Sequence, residues 1–148
     1  MALNSSLYKL GEEFVFIAGV RNIRCNDPGK LIDDLRAKSK DVTVQVVNAQ
    51  CVYGIKHVLG ALAITLESKK RKIMIANKPE TDLLLRLLST TQISSAFAYG
   101  RIESGKDACF ILFSKDAQSL ERLQSDITGS FEIDNSVLSQ NLLKRKKM

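Results

Sequence analysis

Three apolar runs limit this chain more than any other feature, because each is too short to be a helix of ordinary length. Phe14-Val15-Phe16-Ile17-Ala18-Gly19-Val20 carries no charge and reads as a buried strand. Asp41-Val42-Thr43-Val44-Gln45-Val46-Val47 is rich in β-branched residues and reads as a second strand. Ala108 to Phe113 is the third. It predicts one arm of an antiparallel hairpin, with Tyr99 to Glu103 as the other arm and Ser104-Gly105-Lys106-Asp107 as the turn.

Helical patterns fill the intervals. Asp27 is a suitable N-cap and Pro28 suits the first helical position, so a helix is expected from 28 to about 39, with Leu31, Ile32 and Leu35 inward. Residues 51 to 68 form the longest helix candidate. Cys51, Ile55, Val58, Leu59, Leu62 and Leu66 share one face. Gly54, His57 and Ala61 line another, with Ala63 and Ile64 nearby. Gly54 and Gly60 inside a helix each cost about 1 kcal/mol against alanine. A helix that tolerates them is expected to admit a close neighbour, from this domain or from a partner.

Ile73 to Ala76 is a short strand or an irregular packed segment. A leucine-rich helix follows over Thr81 to Leu88, with Arg86 as its one arginine. Ser89-Thr90-Thr91-Gln92 breaks it, and Thr90 or Thr91 is placed to cap a short helix over Ile93 to Ala98. Asp116 to Ile127 is amphipathic and Gly129 is placed to end it; Asn135 to Lys147 closes the chain as a last helix. The order βαβα, helices, then ββα gives an α/β or α+β fold, with helices packed on a small mixed β-sheet. Two prolines, no linker-like stretch and 148 residues give a single domain over 1–148 with a basic C-terminal tail.

The charge is concentrated. Lys69-Lys70-Arg71-Lys72 and Lys144-Arg145-Lys146-Lys147 together outweigh the net charge of +6, so the rest of the chain is slightly acidic. Such clusters suit a polyanion, because each neutralised phosphate releases counterions. A solvated loop and a frayed tail are the alternative. The helix start near Gln92 would offer backbone N–H groups to a phosphate, with Arg86 about one turn upstream.

Catalytic chemistry is poorly represented. Gly100-Arg101-Ile102-Glu103-Ser104-Gly105-Lys106 satisfies the first part of a P-loop pattern. Asp107 stands where Ser or Thr should bind magnesium, and a strand follows where a helix is required. His57 is the only histidine, and it reads as a packing or interface residue rather than a base. Cys25, Cys51 and Cys109 follow no metal spacing and read as buried free thiols in a reducing cytoplasm. No metal, cofactor or catalytic constellation is expected. No run approaches the length of a membrane span, and Met1 to Glu13 lacks the apolar stretch of a signal peptide.

A dispersed series of residues carries a resemblance. It comprises Asn48-Ala49, Val52, His57-Val58 with Ala61, Ala76-Asn77, Leu84-Leu85-Arg86, Gln92-Ile93 with Ala96, Gly100, and Phe131 to Leu138. In order and spacing this resembles the small regulatory subunit of the KEOPS complex, the family that includes the eukaryotic PRPK-binding protein TPRKB. The length is closer to its archaeal members. Those carry an Arg, a Gly and then Arg-Gln-Ile near the helix break; here Arg86 and Gln92-Ile93 match, and Ser89-Thr90-Thr91 replaces the rest.

The resemblance implies a cytoplasmic, non-catalytic subunit that binds a small atypical protein kinase. Through that kinase it meets a threonylcarbamoyl transferase subunit in an assembly that makes threonylcarbamoyladenosine in tRNA. It also implies help in recruiting tRNA by its acceptor (CCA) end. Lys69, Lys70, Arg71 and Lys72 would then steer phosphates, while Arg86, Gln92 and Ile93 shape the acceptor-end site. Partner binding is assigned to Tyr53, Lys56, His57 and Leu142. The alternative is a stand-alone basic RNA-binding domain, which would bind RNA tightly without a protein partner.

Overall fold

A computed structural model describes residues 7–139. Leu142, the run Lys144–Lys147 and most of the helix expected over 135–147 lie outside the described residues, which end in a helical turn at 136–139. Four strands, β1 (Leu7–Leu10), β2 (Glu13–Val20), β3 (Thr43–Asn48) and β4 (Ala108–Ser114), form one sheet in the order β1-β2-β4-β3. Every pairing is antiparallel, so of the two expected classes α+β is the one observed. The helices are α1 (Pro28–Lys38), α2 (Ile55–Lys70), α3 (Pro79–Leu87), α4 (Ile93–Gly100) and α5 (Ala117–Ser130), with a 3₁₀ turn at Ala49–Cys51.

The middles of β2, β3 and β4 are largely apolar because both faces of the sheet are covered there. Side chains alternate between faces with period two. Val15, Ile17, Val47, Cys109, Ile111 and Phe113 join the core under α2, α3 and α4. Phe16, Ala18, Val44, Val46, Phe110 and Leu112 join a second core with Leu35 of α1 and Leu120, Leu123 and Ile127 of α5. The result is a three-layer sandwich with β4 at the centre of the sheet.

The expected hairpin is not observed. Tyr99 and Gly100 complete α4, and residues 101–107 form an irregular connection into β4. β4 instead pairs with β2 and β3, both distant in sequence. The hairpin that does form joins β1 to β2, where Gly11 turns with φ +59°. The apparent P-loop thus runs from helix to strand, the reverse of the order that motif requires. Ile73 to Ala76 is irregular rather than a strand.

Helix ends follow local chemistry. Asp27 caps α1 by accepting from the Lys30 N–H at 3.2 Å, as expected. α5 runs past Gly129 to Ser130. Gln92, not a threonine, is the residue before α4; Thr90 Oγ1 instead accepts from the Gln92 N–H at 3.1 Å. Both α2 and α3 end in Schellman turns. After α2, Lys72 takes φ +60°, and the N–H groups of Lys72 and Ile73 donate to the carbonyls of Lys69 and Ser68. After α3, Ser89 takes φ +53°, and Ser89 and Thr90 donate to Arg86 and Leu85.

A C-terminal strap closes one end of β2. Ile133 bridges to Val20, and the Asp134 N–H donates to the Gly19 carbonyl at 2.8 Å. Asn135 Oδ1 accepts from the Gly19 N–H at 2.8 Å, and Arg21 Nη2 pairs with Asp134 Oδ2 at 2.6 Å. Hydrogen bonds from Ser136 and then Arg21 hold the Asp134 carboxyl at about 2, below its ordinary 3.8. A lowered folded pKa contributes stability that is complete above the unfolded value and is lost as pH falls through the folded one. The strap's ionic contribution should therefore fade between about pH 4 and pH 2. Acid-unfolding curves test this. Wild type should exceed Asp134→Asn at neutral pH and converge with it toward pH 2; a constant gap would refute the assignment.

Candidate RNA groove and partner face

The chemistry-bearing residues gather where α2, α3 and the segment before α4 meet. Asp82 on α3 is fully buried. Its carboxylate accepts from Arg86 Nε at 2.8 Å, Thr65 Oγ1 at 2.8 Å and the Ile75 N–H at 2.7 Å. Burial pushes this carboxyl up, but the hydrogen bonds from Arg86, Thr65 and Ile75 outweigh it and hold it below its usual range. Arg86 Nη2 also reaches Ser68 Oγ at 3.1 Å. One carboxylate therefore ties α2, the irregular 73–76 segment and α3 together.

Beside this node lies a groove of about 520 Å³ lined by Ile64, Ile75, Leu85, Arg86, Ser89, Thr90, Thr91 and Gln92. Its walls combine aliphatic carbons, hydroxyls, one amide and one guanidinium. Ile64, Ile75 and the adjacent Ile93 are each roughly half exposed. The first turn of α4 opens next to it, and Gln92 gives that turn no side-chain cap. The first N–H groups of any helix lack carbonyl partners within it. Arg86, Gln92 and Ile93, selected from sequence, are thus brought to one place. Ser89 to Thr91, which replace the Gly and second Arg of the archaeal pattern, supply three of the groove's polar groups.

The basic run is not gathered there: none of Lys69, Lys70, Arg71 and Lys72 lines this groove. Ser68, whose hydroxyl meets Arg86, directly precedes the run. Lys69 and Lys70, however, line a different depression of about 510 Å³ beside the β1–β2 turn, with Glu12, Glu13, Glu67 and Lys115. Arg71 pairs with Glu67 at 2.8 Å on the exposed helix surface. α2 contributes to both depressions.

At the other end of α2, His57 Nδ1 accepts from the Tyr53 N–H at 3.0 Å, and the two rings lie 5.4 Å apart. An accepting Nδ1 leaves the imidazole proton on Nε2. His57 therefore closes the start of α2, a packing role. Lys56 is exposed beside it. Gly54, with φ +100°, precedes the helix rather than lying inside it, and Gly60 faces open space, so among the described residues no neighbouring backbone approaches Gly60. Ala61 does pack inward, while Ala63 and Ile64 face outward.

The Cys51 thiol donates to the Tyr99 carbonyl at 3.2 Å, which brings the exposed Tyr99 close to this end of α2. Tyr99 was read as a strand residue, and its aromatic exposure had no signal in the sequence pattern. Cys109 is buried, but Cys25 and Cys51 are only half-buried, contrary to the expectation for all three. Burial raises the Cys51 and Cys109 thiols above their ordinary range. Among the described residues no three His, Cys, Asp or Glu side chains cluster to hold a metal, and no helix is long and apolar enough to cross a membrane.

The sequence model of the family described as "Kinase binding protein CGI-121" matches residues 20–147. The chain belongs to the CGI-121 family. That match spans most of the sandwich and agrees with the resemblance to the small KEOPS subunit read from dispersed residues. No curated protein matches the chain. The CGI-121 description makes a kinase the partner class, and it covers α2, α3, α4 and the strap alike.

Proposed function

We propose that this CGI-121 protein is a non-catalytic, cytoplasmic subunit of the KEOPS complex. It binds and regulates the small atypical kinase, through which it meets the threonylcarbamoyl transferase subunit, and it helps recruit tRNA by the acceptor (CCA) end. The family match over residues 20–147 carries the kinase half of this reading. The groove beside Arg86 and Gln92 supports the RNA half. It offers the Arg86 guanidinium plane and aliphatic surface for a base and several hydrogen-bonding groups for base edges and ribose; stacking on arginine and edge hydrogen bonds are ways unpaired nucleotides are recognised. Lys69 to Lys72 lie at the end of the helix that contributes Ile64, where they would attract the phosphates of the same RNA. Tyr53, Lys56, His57 and Leu142 are the proposed kinase-facing residues.

The test is co-purification with the small atypical kinase of the same organism, followed by titration with intact tRNA and with tRNA lacking its acceptor end. A stable complex that binds intact tRNA at least tenfold more tightly is the expected result. Equal affinity for the two RNAs would remove acceptor-end recognition. RNA binding without a kinase complex would favour the stand-alone module.

A further inference from the structure

Asp82 is the only carboxylate buried in full among the described residues, and it does not line the groove. It nevertheless holds two groups that do. Arg86 and Ile75 both line the groove, and both donate to the same Asp82 carboxylate. Thr65 and Ser68 on α2 complete the arrangement from the side, one on the carboxylate and the other on the guanidinium. The Arg86 side chain keeps one fifth of its exposure while its charge faces a carboxylate at 2.8 Å.

An arginine held in this way is a poor phosphate anchor, because a nearby carboxylate cancels much of the field a phosphate would feel. Its remaining N–H groups still donate in a fixed plane. The groove has no second cation among its lining residues.

We infer that Asp82 is a positioning residue for the groove: it fixes Arg86 and Ile75 together, so that Arg86 reads uncharged base or ribose groups of an RNA end rather than a phosphate. This rests on the reading that the groove receives the acceptor end. Phosphate recognition then falls to the basic run outside the groove. Selectivity for the RNA end and salt dependence become separable properties, set by different residues.

The experiment uses the full chain in complex with its kinase. Intact and acceptor-lacking tRNA are titrated across a salt series for wild type, Asp82→Asn and Ser68→Ala. Asp82→Asn should cut the preference for intact tRNA about tenfold. It should leave kinase binding unchanged and should not lower the log–log salt slope, since freeing Arg86 of its carboxylate can only add attraction for phosphate, whereas one lost phosphate contact would lower that slope by about 0.7–0.9. Ser68→Ala, which removes only the outer hydrogen bond on Arg86, should cut the preference a few-fold at the same slope. It decides the matter if the Asp82 variant does not fold. A preference unchanged in both variants would overturn the positioning role. A slope lowered by about one contact in either would overturn the claim that Arg86 avoids phosphate. If wild type itself shows no preference, the acceptor-end reading fails instead, and the two failures are told apart by that control.

Discussion

Asp82→Ala should destabilise the fold by about 3 kcal/mol, as much as truncating a buried core side chain. The substitution strips the acceptor from Arg86, from the Thr65 hydroxyl and from the Ile75 N–H at once. Asp82 is fully buried and Arg86 keeps only 20% of its side-chain exposure, so water replaces the lost partner poorly. The midpoint of thermal unfolding should fall by roughly 10 °C for a domain of this size. Urea unfolding is the sharper measurement, because an unchanged slope with a lowered midpoint isolates stability from changes in compactness. A loss below about 1 kcal/mol would mean that the node is solvated and that the carboxylate is dispensable.

Gly19→Ala comes next, at about 2–3 kcal/mol, through crowding rather than a lost bond. A methyl group on Gly19 would lie 2.6 Å from the Asp134 carbonyl oxygen, 2.6 Å from Val137 Cγ2 and 3.2 Å from Leu138 Cγ. The carbonyl belongs to backbone that is pinned by the Asp134 N–H on the Gly19 carbonyl and by Asn135 on the Gly19 N–H. It cannot swing aside as a side-chain tip could. The expected response is release of the strap, which exposes Val137 and Leu138, both buried in the native packing. Limited proteolysis should cut the variant after α5 faster than wild type, alongside a lower urea midpoint. Wild-type behaviour in both assays would show that the strap can shift without cost.

Elements were legible in this sequence where local chemistry decides them. The apolar run at 14–20, the Asp27-Pro28 start and the stripe of α5 each carry their own signal, and each appears within a few residues of its expected place. Strand pairing was not legible. β4 and the preceding Tyr99–Glu103 segment satisfy the local pattern of a hairpin, yet Phe97 to Gly100 finish a helix, and Gly100 packs against Leu84 of α3. Tertiary contact decided that segment, not propensity. The candidate site shows the same division. Arg86, Gln92 and Ile93 were visible as a cation near a helix start. Asp82 was not, because a carboxylate inside a leucine-rich helix gives no sign of whether it is solvated or buried. Ser89 looked like the loss of a glycine. Its φ of +53° shows that the backbone keeps the left-handed turn that a glycine would adopt without strain.

The central position of β4 bears on the order in which this chain can be made. Ile17 on β2 pairs with Ile111, and Val46 on β3 pairs with Phe110, so the sheet's middle is supplied by a strand made only after both of its partners. Until then β2 and β3 each present an open edge toward the missing strand, and β1 with β2 is the only pairing already available. The nascent chain thus makes the whole stretch from Asn48 to Ala108 with two unfilled strand edges, the condition in which chains seek one another or a chaperone. A single late strand converts both edges into a closed interior in one step.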